Sequence, residues 1–546
     1  MLDLWYKNAV IYCVDVETFM DSNGDGVGDF RGLADRLDHI EALGATCIWL
    51  LPFYPTPNRD NGYDLTDFYG VDPRLGTLGD FVSFTHAARD RGLRVIVDLV
   101  ANHTSVDHPW FQEARRDPTS PYRDWYVWSK EKPKNIHEGV VFPGVQEATW
   151  SYDEVAGAWY MHRFYKHQAD LNIANPKVRE EIEKVMGFWL QLGVSGFRLD
   201  AVPFLIEYRG VPRDEQPSED PHLYLKELRD FLSWRRAEAM MLAEANITMD
   251  QVDEYFGQDG DRLHVIFNFM LNQHLFLGLA RGDAEPLRRV MSRTPPIPVT
   301  AQWATFLRNH DELDLGRLSD EEREEAFAAF GPEPHMQAYE RGIRRRLAPM
   351  LDGDERQLKL VFSLMFALPG TPVLWYGDEI GMGEDLSLAE RNSVRTPMQW
   401  SDQPNAGFST AAPERLVRPV VSDGPFDYRR VNVAGQRDLD GALMDTIQRL
   451  VRTRRACPEV GWGACQIVET DETSVLALRY DWRGETVVIL HNLADRAVDL
   501  ELDLSGIRHL RPLFGNRDER SLRDTGTPIS LDPYGFSWFR AQGDRR

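Results

Sequence analysis

Short β-rich apolar runs recur along the chain at 9–16, 46–51, 94–100, 195–200, 240–244, 264–269, 302–308 and 372–376. Between them lie segments long enough for helices, with helical patterns of apolar and polar positions. Eight strands alternating with helices predict an α/β fold, a (β/α)8 TIM barrel. A doubly wound sheet is the alternative; the count of eight and the placement of polar groups speak against it. Several runs deliver a polar side chain at their C-terminal end, which is the active-site face of a parallel barrel.

Two spacings are uneven. The third strand ends near 100 and the fourth begins near 195, and the stretch between is rich in Trp, Tyr, Pro and charge. It predicts an inserted subdomain, residues 103–170, with the barrel on either side at 1–102 and 171–457. A second insertion, about 312–351, carries helical patterns at 321–329 and 339–351. Residues 401–440 are polar and rich in Pro and Gly, and read as loop. From about 458, β runs such as Ser474–Tyr480 and Glu485–His491 alternate with turns, predicting a C-terminal antiparallel β-sandwich domain at 458–546.

Composition narrows the function classes. The formal net charge of −24 disfavours non-specific nucleic-acid binding, and no basic patch or nucleic-acid motif stands out. No apolar stretch reaches about 18 residues, so no membrane span is expected. The N-terminus has no signal-peptide apolar region, which makes the cytoplasm the expected location. Cys13, Cys47, Cys457 and Cys465 form no Cys-x-x-Cys pair and predict neither a disulfide framework nor a zinc site.

Three carboxylates carry the chemistry. Asp200 closes Gly196-Phe-Arg-Leu-Asp200, Glu244 sits in Met241-Leu-Ala-Glu-Ala-Asn246, and Asp311 ends Arg308-Asn-His-Asp311. A fourth segment, Asp98-Leu-Val-Ala-Asn-His103, overlaps the end of the third strand. A lone Asp at a strand end is usually a cap or half of a salt bridge. Several at one barrel face are another matter, since glycoside cleavage needs two carboxylates facing each other across a sugar. Arg198 lies two residues before Asp200 and so points to the same face, where it can orient that carboxylate and keep it ionised.

With the four motifs in order, each after a predicted strand, the chain resembles the α-amylase superfamily of retaining glycoside enzymes over nearly its whole length. The resemblance implies that Asp200 is the nucleophile, Glu244 the general acid and then base, and Asp311 the group that holds sugar hydroxyls and stabilises the oxocarbenium-like ring. It implies that His103 and His310 donate hydrogen bonds to glucose hydroxyls, with Gln168 also in the substrate site. In related α-glucosidases the Asp of Gly62-Tyr63-Asp64 binds the non-reducing glucose and the Tyr stacks beneath its ring. Arg395, in Val394-Arg-Thr-Pro-Met-Gln-Trp400, matches the Arg that pairs with that Asp. Such a pair closes the site into a pocket for short substrates.

The run Asp21-Ser-Asn23-Gly-Asp25-Gly-Val27-Gly-Asp29 spaces oxygen donors at positions 1, 3, 5 and 9, with a carbonyl at 7. Hard cations such as Ca²⁺ want such clusters. Gly32 at position 12 rules out an EF-hand, and an Asx-rich turn without metal is the plainer alternative. The run is similar to the structural loop site of oligosaccharide-active superfamily members, where Ca²⁺ or Mg²⁺ is expected. By resemblance alone, Asn102, Asp170, Glu207 and a carbonyl near Phe204 form a second structural calcium site.

Within the superfamily the resemblance is nearest to the trehalose synthases, the maltose–trehalose isomerases. It is carried by Leu50-Leu-Pro-Phe-Tyr-Pro55, His108-Pro-Trp-Phe111, Asp200-Ala-Val-Pro203, Thr294-Pro-Pro-Ile-Pro298, Leu307-Arg-Asn-His-Asp-Glu-Leu313 and Gly342-Ile-Arg-Arg-Arg-Leu-Ala-Pro349. It implies a disaccharide substrate, a lid built from the second insertion, no organic cofactor, and a homodimer as one assembly. Glu312 stands where hydrolytic relatives usually carry Gln. The first strand, Tyr12-Cys-Val-Asp-Val-Glu-Thr-Phe19, and Asp314-Leu-Gly-Arg-Leu318 depart from the isomerase pattern. A hydrolytic or transferring α-glucosidase acting on maltose, sucrose or a glucosylated small molecule therefore stays open. A catalytically inactive binding relative is expected to have lost a carboxylate, and this chain retains all three.

Overall fold

The computed structural model describes residues 3–207, 220–504, 507–515, 523–524 and 528–542. Eight parallel strands close a barrel: β1 (Ile11–Val14), β2 (Cys47–Leu50), β3 (Arg94–Leu99), β4 (Gly196–Leu199), β5 (Met240–Ala243), β6 (Val265–Phe267), β7 (Gln302–Phe306) and β8 (Thr371–Trp375). Seven of them lie inside runs predicted from the sequence, and β8 begins one residue before the run predicted at 372–376. The barrel closes where Ile11 pairs with Val373. All but one of the strand residues are buried, the outer faces lying under helices such as Leu78–Asp90, Pro176–Gln191 and Glu355–Ala367. Local signals set the helix starts. Thr77 and Asp80 form a reciprocal cap, and Asn175 caps a helix whose first residue is Pro176.

One glycine is required by this geometry. A Cβ on Gly196 would stand 2.1 Å from the Met240 carbonyl oxygen, so only glycine lets β4 begin this close to β5. The register that follows sets Asp98 of β3 beside Arg198 of β4, and Arg198 beside Leu242 of β5.

After β3 the chain leaves the barrel. His103–Ser105 pairs antiparallel with Gln168–Asp170, and a small sheet of Trp128–Ser129, Ala158–Met161 and Trp150–Asp153 lies between. The insertion after β7 is only half as expected. Asp320–Phe330 is a helix, capped by Ser319 and Glu322. Residues 339–351 are not one helix. Gln337–Ala338, Gly342–Ile343 and Leu313–Asp314 form a three-stranded antiparallel sheet, and only Leu347–Met350 makes a helical turn. The apolar spacing of Ile343, Leu347 and Met350 did mark buried positions. Tyr339 and Glu340 nevertheless turn the chain with φ of 56° and 59°, and Arg345 and Arg346 pair with Glu384 and Asp378 on neighbouring loops. Tertiary ion pairs override the helical period.

The C-terminal unit is a two-layer β domain. Ala464–Ile467, Val475–Trp482, Glu485–Asn492, Phe536–Gln542, His509–Gly515 and Arg523–Asp524 form one antiparallel sheet, and Val498–Leu500 pairs with Ile529–Leu531 in a second. Val475, Val488, Leu490, Leu500 and Leu531 pack between the layers. The other face of the large sheet meets the helix Glu355–Ala367, where Tyr480 donates to the Ala367 carbonyl and Trp538 to the Ser363 hydroxyl. Among the described residues no helix is long and apolar enough to cross a membrane.

Candidate active site

The three carboxylates converge at the C-terminal mouth of the barrel. Asp200 and Glu244 directly follow β4 and β5, and Asp311 lies five residues beyond β7. Arg198 sits beneath them, and it is almost wholly buried. Its guanidinium meets Asp98 at 2.6 Å, Asp200 at 2.5 Å and Glu244 at 2.8 Å. Trp49 of β2 donates to the other oxygen of Asp98 at 2.9 Å. Ala201, in the left-handed region at φ 50°, turns its N–H onto Glu244 at 3.1 Å. A non-glycine residue held there is strained, and such residues cluster at functional sites.

Burial and charge separate the three acids. Burial pushes Asp200 up to about 6, against the pull of Arg198. Burial pushes Glu244 up to about 7, again opposed by Arg198 and reinforced by Asp200 and Asp311. Burial also penalises the Asp311 anion, but His310, Arg391 and Arg395 outweigh it and hold Asp311 far below the usual carboxylate range. Near neutral pH the site thus holds a proton-bearing Glu244 between two carboxylates that are ionised, the division of roles that acid-assisted glycosyl transfer needs.

The acids line a cavity of about 470 Å³ together with Tyr63, His103 and Gln168. That volume lies toward the lower end of small-molecule sites, about 300–1,000 Å³. Tyr63 stacks on His310 at 5.7 Å between ring centres, and its hydroxyl meets His310 Nε2 at 2.7 Å. His310 is fully buried, with the same nitrogen 3.1 Å from Asp311, so it supports the wall behind Tyr63. His103 Nε2 lies 3.1 Å from the Tyr63 carbonyl oxygen.

The pairing expected of Asp64 and Arg395 is not formed. Asp64 is fully buried and accepts from the Thr56 hydroxyl and the N–H groups of Arg59 and Asp60, ordering its own loop. Arg395 instead reaches Asp311 at 3.0 Å and the His310 carbonyl. The pair that closes the pocket is Asp60 with Arg391, at 2.8 Å, and Arg391 also meets Asp311 at 2.8 Å. Gln168 donates to the other oxygen of Asp60. Both partners lie four residues before the positions read from the sequence. Asp60-Asn-Gly-Tyr-Asp64 and Arg391-Asn-Ser-Val-Arg395 each offered two candidates, and spacing along the chain did not rank them.

The insertions roof the cavity. Val140–Phe142 of the inserted subdomain and Arg341 of the segment after β7 line it, as do Glu312 and Asp314. Arg341 bonds Glu312 at 3.2 Å and the Val141 carbonyl at 2.7 Å. Burial pushes Glu312 up to about 7, with Arg341 opposing. Gly342 allows this approach, since a Cβ there would lie 2.6 Å from Glu312 Cγ.

Asp21, Asn23, Asp25, Val27 and Asp29 form one tight loop. Asp21 accepts from the N–H groups of Asn23, Gly24 and Gly26, Asn23 from Asp25, and Asp25 from Val27. Asp29 accepts from Ser22 and caps the helix Phe30–Asp35 through the Gly32 N–H. The donor set is all oxygen, as Ca²⁺ or Mg²⁺ requires. At the second set, Asn102 lies 3.3 Å from Asp170, but the Arg163 guanidinium takes Glu207 at 2.5 Å and covers the Phe204 ring. A positive charge already stands among those residues. Among the described residues no group of three or more His, Cys, Asp or Glu side chains converges to hold a metal ion.

Comparison with known proteins agrees with this geometry. The α-amylase catalytic domain family matches residues 13–329 and 344–463. A trehalose synthase/amylase of Mycobacterium tuberculosis is 45% identical, covering 98% of this chain and 90% of its own. A trehalose synthase of a Pimelobacter species is 40% identical, covering 98% and 96%. Among solved structures, a trehalulose synthase of Pseudomonas mesoacidophila superposes with a TM-score of 0.78 at 26% identity, covering 98% and 99%. Barrel, carboxylates, inserted subdomain and C-terminal β domain together with these matches establish that the chain belongs to the α-amylase family.

Proposed function

We propose that the protein isomerises maltose to trehalose by transferring a glucosyl unit within one closed pocket, with hydrolysis to glucose as a side reaction. The observation that carries the reading is the trio Asp200, Glu244 and Asp311 around Arg198, in a pocket closed by the Asp60–Arg391 pair. Similarity to trehalose synthases over 98% of the chain selects the isomerase among the reactions such a site supports.

An Asp200 oxygen attacks the anomeric carbon of the non-reducing glucose. The bond from that carbon to the bridging oxygen breaks, and Glu244 gives its proton to the departing oxygen. Asp311, held ionised by its cations, stabilises the positive charge that develops on the ring. The free glucose turns inside the pocket while the roof keeps bulk water out. Its anomeric hydroxyl then attacks the same carbon, Glu244 takes the proton, and Asp200 leaves as a carboxylate. The product is trehalose. Water attacking in its place gives two glucose molecules.

The reading takes a disaccharide as substrate, a cytoplasmic setting and a Ca²⁺ or Mg²⁺ ion in the Asp21–Asp29 loop as a structural clamp. The second set, with Arg163 among its acids, suits a metal ion less well. Purified protein incubated in turn with maltose, trehalose and sucrose, beside an Asp200→Asn control, tests the function by chromatography. Interconversion of maltose and trehalose, absent from the control, supports the isomerase. Glucose as the sole product under all conditions moves the chain to the α-glucosidases.

A further inference from the structure

We propose that Glu390 is a positioning residue that clasps the pocket roof shut through Tyr165 and Tyr339, and that this clasp sets how much of the glucosyl-enzyme is lost to water. The proposal rests on the isomerase reading above. Glu390 Oε2 accepts from the hydroxyls of both tyrosines, that of Tyr339 at 2.8 Å. The three residues come from three separate excursions of the chain: Tyr165 from the inserted subdomain, Tyr339 from the segment after β7, and Glu390 from the loop after β8. They meet at one oxygen. Phe142 fills the space between, its ring centre 4.8 Å from that of Tyr165 and 4.7 Å from that of Tyr339, with the Arg391 guanidinium 4.9 Å over its face.

Two further observations mark this knot as more than surface packing. Tyr339, Glu340 and Glu390 have φ of 56°, 59° and 48°, a region that L residues enter only where their surroundings hold them. Tyr339 also lies in 330–343, between the two ranges that match the α-amylase family, whereas Tyr165 and Glu390 lie within them, so the clasp ties a segment outside the matched ranges to the shared catalytic framework. Arg391 follows Glu390 and holds both Asp60 and Asp311, so the clasp fixes the backbone of the residue that closes the pocket. Side chains join these excursions to one another here, and two O–H groups on one carboxylate oxygen are charge-assisted bonds. Losing either one opens a seam through which water enters and glucose leaves.

The test uses the full-length Tyr339→Phe and Tyr165→Phe variants, their double and Glu390→Gln. Both Phe substitutions keep a ring against Phe142. Each enzyme turns over maltose in the presence of ¹³C-labelled glucose, and two quantities are read: the glucose-to-trehalose ratio and the label in trehalose. Each single Tyr→Phe change is expected to raise both by about tenfold, the loss of one charge-assisted hydrogen bond. The double rises little further, because either loss opens the same seam. Glu390→Gln, whose amide oxygen still accepts, falls between wild type and the Phe variants. Partition within twofold of wild type in every variant overturns the clasp, even where the thermal midpoint drops. Should wild type form no trehalose, the isomerase reading fails instead. The clasp is then judged by the same variants, from the partition of the glucosyl-enzyme between water and labelled glucose.

Discussion

Arg391 is the most informative single residue to perturb, because one guanidinium bridges two carboxylates that line the pocket. It meets Asp60 and Asp311 at 2.8 Å each, and all three side chains are 15% exposed or less. Arg391→Lys keeps the positive charge but loses the fork, and one ammonium cannot reach both acids in the same geometry. A hydrogen bond to a charged partner contributes about 1.5–3 kcal/mol, so losing one lowers kcat/KM for maltose by about 10- to 150-fold. Asp311 stays ionised, because the Arg395 and Arg198 guanidinium groups remain near it. The pH profile should therefore keep its shape while its height falls. Steady-state kinetics on wild type and variant across pH 5–8 give the answer. A kcat/KM within threefold of wild type would refute the reasoning, and so would a displaced acid limb, which would mean that Arg391 acts by setting a protonation state.

Three further outcomes follow from the same geometry. The pH–rate profile for maltose should be bell-shaped, falling below about 6 as Asp200 gains a proton and above about 7 as Glu244 loses one; because these acids interact, the limbs belong to the group, and a flat profile from 5 to 8 contradicts the assignment. Gly196→Ala should destabilise the barrel by about 1–3 kcal/mol, since its Cβ meets the Met240 carbonyl at 2.1 Å; an unchanged urea midpoint rejects the argument. Removing divalent cations with a chelator should lower the melting temperature and leave kcat of the surviving fold in place, because a site saturated 100-fold over its Kd adds about 2.7 kcal/mol. No shift on chelation and re-addition of Ca²⁺ or Mg²⁺ means that the Asp21–Asp29 loop holds itself by its turns alone.

Much of this protein is settled by local pattern. Strands buried on both faces read as apolar runs because their side chains meet apolar neighbours on either side, and all eight barrel strands fall on such runs to within one residue. The catalytic carboxylates were legible for a related reason: a charged residue at the end of a buried strand is costly unless it has a task. Arg198 and Asp200 follow from strand alternation alone. The helical pattern at 321–329 likewise marked the helix Asp320–Phe330.

Closure of the pocket was decided elsewhere. Asp64 and Arg395 looked the part in sequence, yet backbone N–H groups of its own loop claim Asp64, while Asp60 and Arg391, each four residues earlier, pair with each other at the cavity. Likewise 339–351 has a helical period but folds as turns and short strands, because Glu312, Glu384, Glu390 and Asp378 wait on other loops for its Arg and Tyr side chains. The sequence by itself determined the barrel, its acids and their order, since burial and strand period act between residues close along the chain. Which side chains seal the pocket was left to the tertiary structure, because ion pairs and roof contacts join residues scores to hundreds of positions apart, and no local pattern encodes which of two similar neighbours will meet its partner.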